Sequence, residues 1–343
     1  MSTEAASRPF PTPIAPPPIP GLVIRHLSAP DDYAGMNDAA NDSRLADGVD
    51  FITPLDAFIR HYEHLHHCDP DRDLLIVEIA GRIVGYGRTF WETEEVADGQ
   101  VRVHETFCFL RRDWRRRGLG RPMLAALLAR VDEIHARLPA APRVEVEVVD
   151  QTSDGAIEAL VRPFGFRPVR YGFQMLRPTL DDQPNAPLPA GLDIREVREQ
   201  DVRQIWEASN EAFRDGNAWR PPDEAAWQEF LRDPLQQDRT LWRVAWDGDQ
   251  VAGQVRGYIN EDANAAMGTT RGWVENISVR RPYRHRGLAR ALMNATFRAL
   301  RERGMTEGVL GVDATNPTGA LRVYESMGFV PISRSTTYRK RLG

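Results

Sequence analysis

Residues 114–124 read WRRRGLGRPML and residues 283–293 read YRHRGLARALM. Each stretch puts arginines directly before a small-residue turn, then opens a run of good helix formers. A strand that enters such a turn and leaves it as a helix exposes backbone N–H groups. The first helical turn has no internal partners for them, and the helix dipole favours negative charge there. Glycine lets the backbone approach a ligand closely because it has no Cβ. Arginines beside the turn add charge-assisted hydrogen bonds. A phosphate or pyrophosphate is the ligand this chemistry suits. The spacing matches neither the GxxxxGK[ST] loop nor the GxGxxG dinucleotide fingerprint.

The second occurrence belongs to a repeat of the whole chain. Arg284 follows Arg115 by 169 residues, as Gly287 follows Gly118. Asp313 follows Asp150 by 163 residues, as Gly328 follows Gly165. GLVIRHLSAPDDYAGM (21–36) and GLDIREVREQDVRQIW (191–206) each read as a short alternating strand leading into a helix. Two strands and a turn follow, DLLIVEIAGRIVGYGRTFWE (73–92) and LWRVAWDGDQVAGQVRGYIN (241–260). The turns fall at Gly81 and at Asp247-Gly248. Each half then has a strand, the glycine loop, an amphipathic helix, another strand, a short helix ending in Gly-Phe, and a last strand. The pattern predicts two mixed α/β domains of domain size, not a solenoid.

The 343 residues suffice for two such domains. The predicted organisation is a proline-rich disordered tail (1–20), a first domain (21–177), a linker (178–190) within the stretch RPTLDDQPNAPLPAG (177–191), and a second domain (191–343). A net charge of −5 gives the whole molecule no attraction for nucleic acid or anionic lipid, so neither is an expected partner. The apolar runs are too short for a membrane span, and the start has no basic-then-apolar signal pattern. Cys68 and Cys108 lack metal-ligand spacing, and a cytoplasmic home follows from such sparse cysteine. Lys340 is the one lysine among 44 basic residues, which removes lysine Schiff-base and P-loop chemistry elsewhere.

Arg284-x-x-Gly287-x-Ala289 and Arg115-x-x-Gly118-x-Gly120 resemble the (Gln/Arg)-x-x-Gly-x-(Gly/Ala) motif of the GNAT superfamily of acyl-CoA-dependent N-acetyltransferases. ISVRRPYRHRGLARALM (277–293) and NPTGALRVYESMGFVP (316–331) carry the likeness further, and it covers both halves. The resemblance implies tandem domains, each a mostly antiparallel mixed sheet flanked by helices. It implies acetyl-CoA as co-substrate, with its pyrophosphate on the loop at Arg284, His285, Arg286, Gly287, Leu288 and Ala289. The first copy offers Arg115, Arg116, Arg117, Gly118, Leu119 and Gly120 for the same purpose. By the same likeness Ile277, Ser278 and Val279 meet the pantetheine and thioester, Asn316 contacts the coenzyme, and Tyr324 protonates the leaving thiolate.

DQTSDGAIEALVRPFGF (150–166) aligns without gaps with DATNPTGALRVYESMGF (313–329). Val161 then stands where Tyr324 does, and Ser153 where Asn316 does. Valine cannot donate a proton, so the second domain is the expected catalyst. Glu275 is the candidate base. Strict strand alternation would put it on one face with Ile277 and Val279, unless a bulge intervenes. The function expected is acetyl transfer from acetyl-CoA to a primary amine of a small molecule or peptide. Turnover in both domains, or coenzyme binding without turnover, are the alternatives. Aminoglycosides, amino acids, peptide N-termini, polyamines and a mycothiol-like aminosugar all stay open as acceptors, as do monomer and homodimer. In EAFRDGNAWRPPDEAAW (211–227), Asp215, Trp219, Glu224 and Trp227 are candidates to line a pocket for a cationic amine. The histidines of RHYEHLHHCDPD (60–71) have no carboxylate or cysteine spacing behind them, so no metal site is assigned.

Overall fold

The computed structural model describes residues 8–49, 52–96, 98–151, 155–182, 186–216, 219–316 and 319–343. The chain divides into two compact units, residues 1–169 with 336–343, and residues 170–335. In the first half the elements are β1 (Leu22–His26), α1 (Tyr33–Ala46), α2 (Leu55–Tyr62), α3 (Pro70–Asp73), β2 (Leu74–Ile79), β3 (Arg82–Val96), β4 (Gly99–Leu110), α4 (Gly120–His135), β5 (Val144–Asp150), α5 (Ala156–Val161) and β6 (Arg167–Arg177). In the second they are β7 (Asp193–Arg195), α6 (Val202–Phe213), α7 (Glu224–Arg232), β8 (Trp242–Asp247), β9 (Gln250–Tyr258), α8 (Glu261–Met267), β10 (Arg271–Val279), α9 (Leu288–Glu302), β11 (Glu307–Asp313), α10 (Ala320–Ser326) and β12 (Val330–Arg341).

The first unit's sheet runs β1-β2-β3-β4-β5, and the second's β7-β8-β9-β10-β11. Every pairing within these two runs is antiparallel except β4 with β5 and β10 with β11. The last strand of each unit comes from the other half of the chain. Residues 336–341 of β12 pair with β5, and residues 172–177 of β6 pair with β11. The units are therefore not the contiguous segments 21–177 and 191–343. Strand pairing at this sequence separation leaves no mark in local periodicity, so the exchange is invisible until the register is known.

A second difference concerns the proline-rich start. Residues 8–20 do not form a free tail. Phe10 is buried against Ile24 and Val77 in the first core, its N–H donates to the Ile24 carbonyl, and Pro9 bridges to Arg25 on the outer edge of β1. One aromatic anchor of this kind stabilises by about 1.5–3 kcal/mol, enough to fix a segment whose prolines have little conformational freedom to lose.

In the second unit α9 turns Leu288, Leu292, Met293, Phe297 and Leu300 into a core with Val255, Val274, Leu310 and Phe329. The i, i+4, i+5, i+9, i+12 spacing is one helix face. The opposite face of the sheet meets α6, where the Gln254 Nε2 donates to the Ile205 carbonyl at 2.6 Å. The sheet thus holds β10 between two helical layers, with its end at the glycine loop.

Candidate active site

In the second unit β10 ends at Val279, and a short 3-10 turn at Arg281–Tyr283 leads to the loop. Arg284 is extended, His285 has φ 59°, and Gly287 has φ 82° as it caps α9. The first unit repeats this backbone, with Arg116 at φ 58° and Gly118 at φ 83° before α4. Alternating hand of this sort turns successive N–H groups to one side, forming a concave anion site. Holding His285 and Arg116 in the left-handed region costs of order 1 kcal/mol each, because a Cβ is disfavoured there. His285, Arg286 and Gly287 are exposed, whereas the Leu288 and Leu119 side chains are buried and offer a ligand only their backbone.

The leading arginines do something other than reach for a ligand. All three guanidinium nitrogens of Arg284 are engaged: Nε with the Val279 carbonyl (2.9 Å), Nη1 with Asp215 (2.7 Å) and Nη2 with the Ala212 carbonyl (3.0 Å). Arg115 repeats the arrangement with the Leu110 carbonyl (3.2 Å), Asp47 (2.7 Å) and the Ser43 carbonyl (3.0 Å). Each arginine fastens the end of a strand to the end of the first helix and so holds the loop open. Asp215 also accepts from Arg281, and the two guanidiniums keep its carboxyl far below the usual carboxylate range. It belongs to the loop's clamp and is not a free counter-charge for an amine. Glu224 is likewise paired with Arg203, and Trp227 packs on Trp206 and Phe230.

The parallel ladder between β10 and β11 runs from Arg271–Glu307 to Trp273–Val309 and stops, although both strands continue. The strands open there. On the other side of β10, Glu275 pairs with Arg256 but Ser278 pairs with Gln254, so Asn276 and Ile277 together face Val255. Asn276 has φ 50°. This bulge overturns the simple alternation. Ile277 and Val279 pack into the core beneath α9, while Glu275 shares the other face with Ser278, Arg256 and Gln254. A bulge inserts one residue and re-aims every side chain beyond it.

Burial raises the Glu275 carboxyl to about 7, against the opposing pull of the Asn276 and Gly311 backbone N–H groups and of Arg256. A carboxyl there is divided between its two forms at neutral pH. Burial lowers the Arg256 guanidinium to about 10, with Glu275 and Asp233 opposing, and it lies 5.0 Å from the Phe230 ring. Tyr324, on α10, is buried beside Phe329. Burial, then the charge of Glu275, push its hydroxyl well above the ordinary range, so it is protonated at neutral pH. The charge of Glu275 thus reaches the Tyr324 hydroxyl. Asn316 sits in the turn before α10, its N–H bonded to the Asp313 carbonyl and its carbonyl accepting from Gly319.

The family model described as "Acetyltransferase (GNAT) family" matches residues 41–166 and again 201–329. The chain belongs to the GNAT family. A mycothiol acetyltransferase of Thermobispora bispora is 29% identical over 266 residues, covering 74% of this chain and 79% of that one. The mycothiol acetyltransferase of Geodermatophilus obscurus is 27% identical over 321 residues, covering 90% and 95%. Among solved structures, a GCN5-related N-acetyltransferase from Sphaerobacter thermophilus superposes with a TM-score of 0.68 at 26% identity, over 94% of this chain and 96% of that one. The protein is a tandem GNAT-type N-acetyltransferase whose co-substrate is acetyl-CoA.

The loop at His285–Gly287 is exposed. Nothing lies within 4 Å of the position a Gly287 Cβ would take. The first GNAT unit differs at three places. A Cβ on Gly118 would stand 3.7 Å from Pro17, so the N-terminal segment lies against that loop. Val161 fills the tyrosine position and is fully buried. The β3–β4 ladder runs from Gly85–Leu110 to Val96–Gly99 with no bulge, which puts Phe107 opposite Arg88 where the second unit has Glu275 opposite Arg256. Ser153, the counterpart of Asn316, lies outside the described residues. Arg256 was missed in the sequence; an arginine inside the apolar run VAGQVRGY is the signal that marks it. Helix α8 was missed as well. Asn260 caps it by accepting from the Ala263 N–H at 2.9 Å, and Gly268 ends it in the left-handed conformation.

Proposed function

We propose that the second unit carries out acetyl transfer to a primary amine, with Glu275 as base and Tyr324 as proton donor. The observation behind this reading is that the second unit has a carboxyl on the strand before the loop and a buried tyrosine on α10 whose hydroxyl feels its charge, while the other has Phe107 and Val161 in their places. An amine attacks only as the neutral base. A carboxylate balanced near neutrality takes its proton without being permanently protonated itself. Acetyl-CoA supplies the activated acetyl thioester. Tyr324 keeps its proton at neutral pH and donates it toward the departing sulfur. Backbone groups of Ile277, Ser278 and Val279 receive the acyl end of the coenzyme. The N–H groups from His285 to Ala289, with the Arg286 side chain, receive the pyrophosphate, and Asn316 touches the coenzyme from the turn before α10. Arg284 is a positioning residue here, acting through the loop it holds.

The acceptor proposed is a small-molecule amine in the cytoplasm. The relatives' name makes mycothiol lacking its acetyl group the first acceptor to try, beside polyamines, aminoglycosides and amino acids. The test is coenzyme A thiol release from acetyl-CoA across that panel, for wild type, Glu275→Gln and Tyr324→Phe. Amine-dependent release by wild type and its loss in both variants supports the reading. Equal release by all three removes these residues from the chemistry.

A further inference from the structure

Glycine inside a strand has no side chain to pack and weakens the strand, so it calls for a reason. Four strand glycines of the second unit have one. A Cβ on Gly253, Gly257, Gly272 or Gly308 would come within 2.8, 3.0, 2.5 or 3.3 Å of a protein atom already there. Gly311, on β11, has no such neighbour. Apart from the residues next to it in the chain, the one described atom within 4 Å of its Cβ position is the Glu275 Oε1, at 3.9 Å, an ordinary contact distance. Its φ lies outside the left-handed region, so the backbone does not demand glycine either. Gly311 is also exposed. The fold leaves this position free to carry a side chain, and the chain carries none.

The parallel ladder of the second unit ends at Trp273 and Val309. Two residues further along each strand stand Glu275 and Gly311, and the short reach of the Glu275 Oε1 shows that they share a face. In the first unit the matching ladder ends at Glu105 and Glu147, and two residues further stand Phe107 and Val149. Val149 keeps a side chain there, 41% exposed. The unit with the carboxyl has open space beside it, and the unit without the carboxyl has a valine. We infer that Gly311 is a specificity-determining residue for acetyl transfer: its missing side chain leaves room beside the Glu275 carboxylate for the group that bears the acceptor's nitrogen. This rests on the reading that transfer takes place in the second unit. A carboxylate that takes a proton from an amine lies about 2.6–3.2 Å from its nitrogen. The substituent on that nitrogen then falls where a side chain at position 311 would stand. Glycine in a strand interior is found where a ligand comes close to the backbone, and no protein atom comes close here.

The test uses two nucleophiles that differ in bulk beside the nitrogen, hydroxylamine and O-tert-butylhydroxylamine, with the full-length protein. Both are largely neutral at pH 7, so neither needs a base. In each reaction the acetyl C–S bond of acetyl-CoA breaks, a C–N bond forms, and the proton lost from nitrogen ends on the coenzyme A thiol. Wild type should release thiol faster than buffer with both. In Gly311→Val, which installs the first unit's residue, the rate with O-tert-butylhydroxylamine relative to hydroxylamine should fall about tenfold or more. Gly311→Ala should give a smaller fall in the same ratio. Valine suits a strand, so Gly311→Val should melt no lower than wild type, and calorimetric titration should show acetyl-CoA bound by both variants. Circular dichroism identifies which variants are folded; if Gly311→Val is not, Gly311→Ala decides. No wild-type release with O-tert-butylhydroxylamine above buffer, or an unchanged ratio in a folded variant, overturns the proposal. Failure of the underlying reading shows separately, as release that survives Gly287→Glu, and that result overturns both.

Discussion

Replacing Glu275 with Gln should make the protein more stable and nearly inactive at the same time. The carboxyl is raised from an ordinary glutamate's value to about 7, chiefly by burial. The folded state therefore holds this proton more tightly than the unfolded state does. Stability is greatest below the unfolded value, declines as pH rises through the interval, and levels off above about 7. The full shift corresponds to about 3 kcal/mol, and partial contact with solvent makes that an upper bound. Glutamine has nearly the same shape and no ionisation to suppress. Glu275→Gln should match wild type near pH 4 and melt higher at pH 8, by about 2–4 °C for each kcal/mol recovered in a unit of this size. Activity should move the other way. Wild-type kcat/KM should climb about tenfold per pH unit below 7 and then flatten, since only the carboxylate accepts a proton. The variant should lose about 10²–10⁴ of the rate and the lower limb of the profile with it. Calorimetric melting from pH 4 to 8 and a kcat/KM profile over the accessible part of that range measure both. A variant that melts lower than wild type at pH 8, or that keeps the wild-type profile, would refute the reasoning.

Tyr324→Phe removes one hydroxyl from a packed ring, so it should lower kcat by about 10²-fold or more while changing the KM for acetyl-CoA little, as steady-state kinetics can show. Asp215→Ala leaves Arg284 without its carboxylate at the loop's clamp and should cost about 1–3 kcal/mol in urea unfolding of the second unit, with weakened coenzyme binding. Phe10→Ala should destabilise the first unit by about 3–5 kcal/mol, which separates an anchored segment from a free tail in the same experiment.

Local pattern was enough for the repeat and for most elements. Alternating runs became β2, β3, β8 and β9, and the glycine loops lie between strand and helix as the arginine and glycine spacing implied. Non-local pairing was out of reach. Nothing in residues 336–341 says that they complete the first unit, because a strand's own sequence does not name its partner. The proline-rich start misled because composition speaks for mobility while one buried side chain, Phe10, decides against it. The bulge at Asn276 and Ile277 had no glycine to announce it, and it changes which residues correspond between the halves. An unbroken offset of 169 sets Thr106 beside Glu275; the register sets Phe107 there. Asp215 was a candidate for lining an amine pocket because its partners, Arg281 and Arg284, lie some 66 and 69 positions further along the chain.

The central claim is that transfer happens in the second unit. Gly287 and Gly118 have nearly the same backbone, φ 82° and 83°, so a side chain at either is strained alike. Substitution by Glu adds the same bulk and the same negative charge to each loop. The deciding measurement is amine-dependent thiol release from acetyl-CoA by Gly287→Glu and Gly118→Glu, side by side with wild type. Turnover abolished in Gly287→Glu and kept in Gly118→Glu is the predicted result. Turnover that survives Gly287→Glu, or that disappears with Gly118→Glu alone, would contradict it.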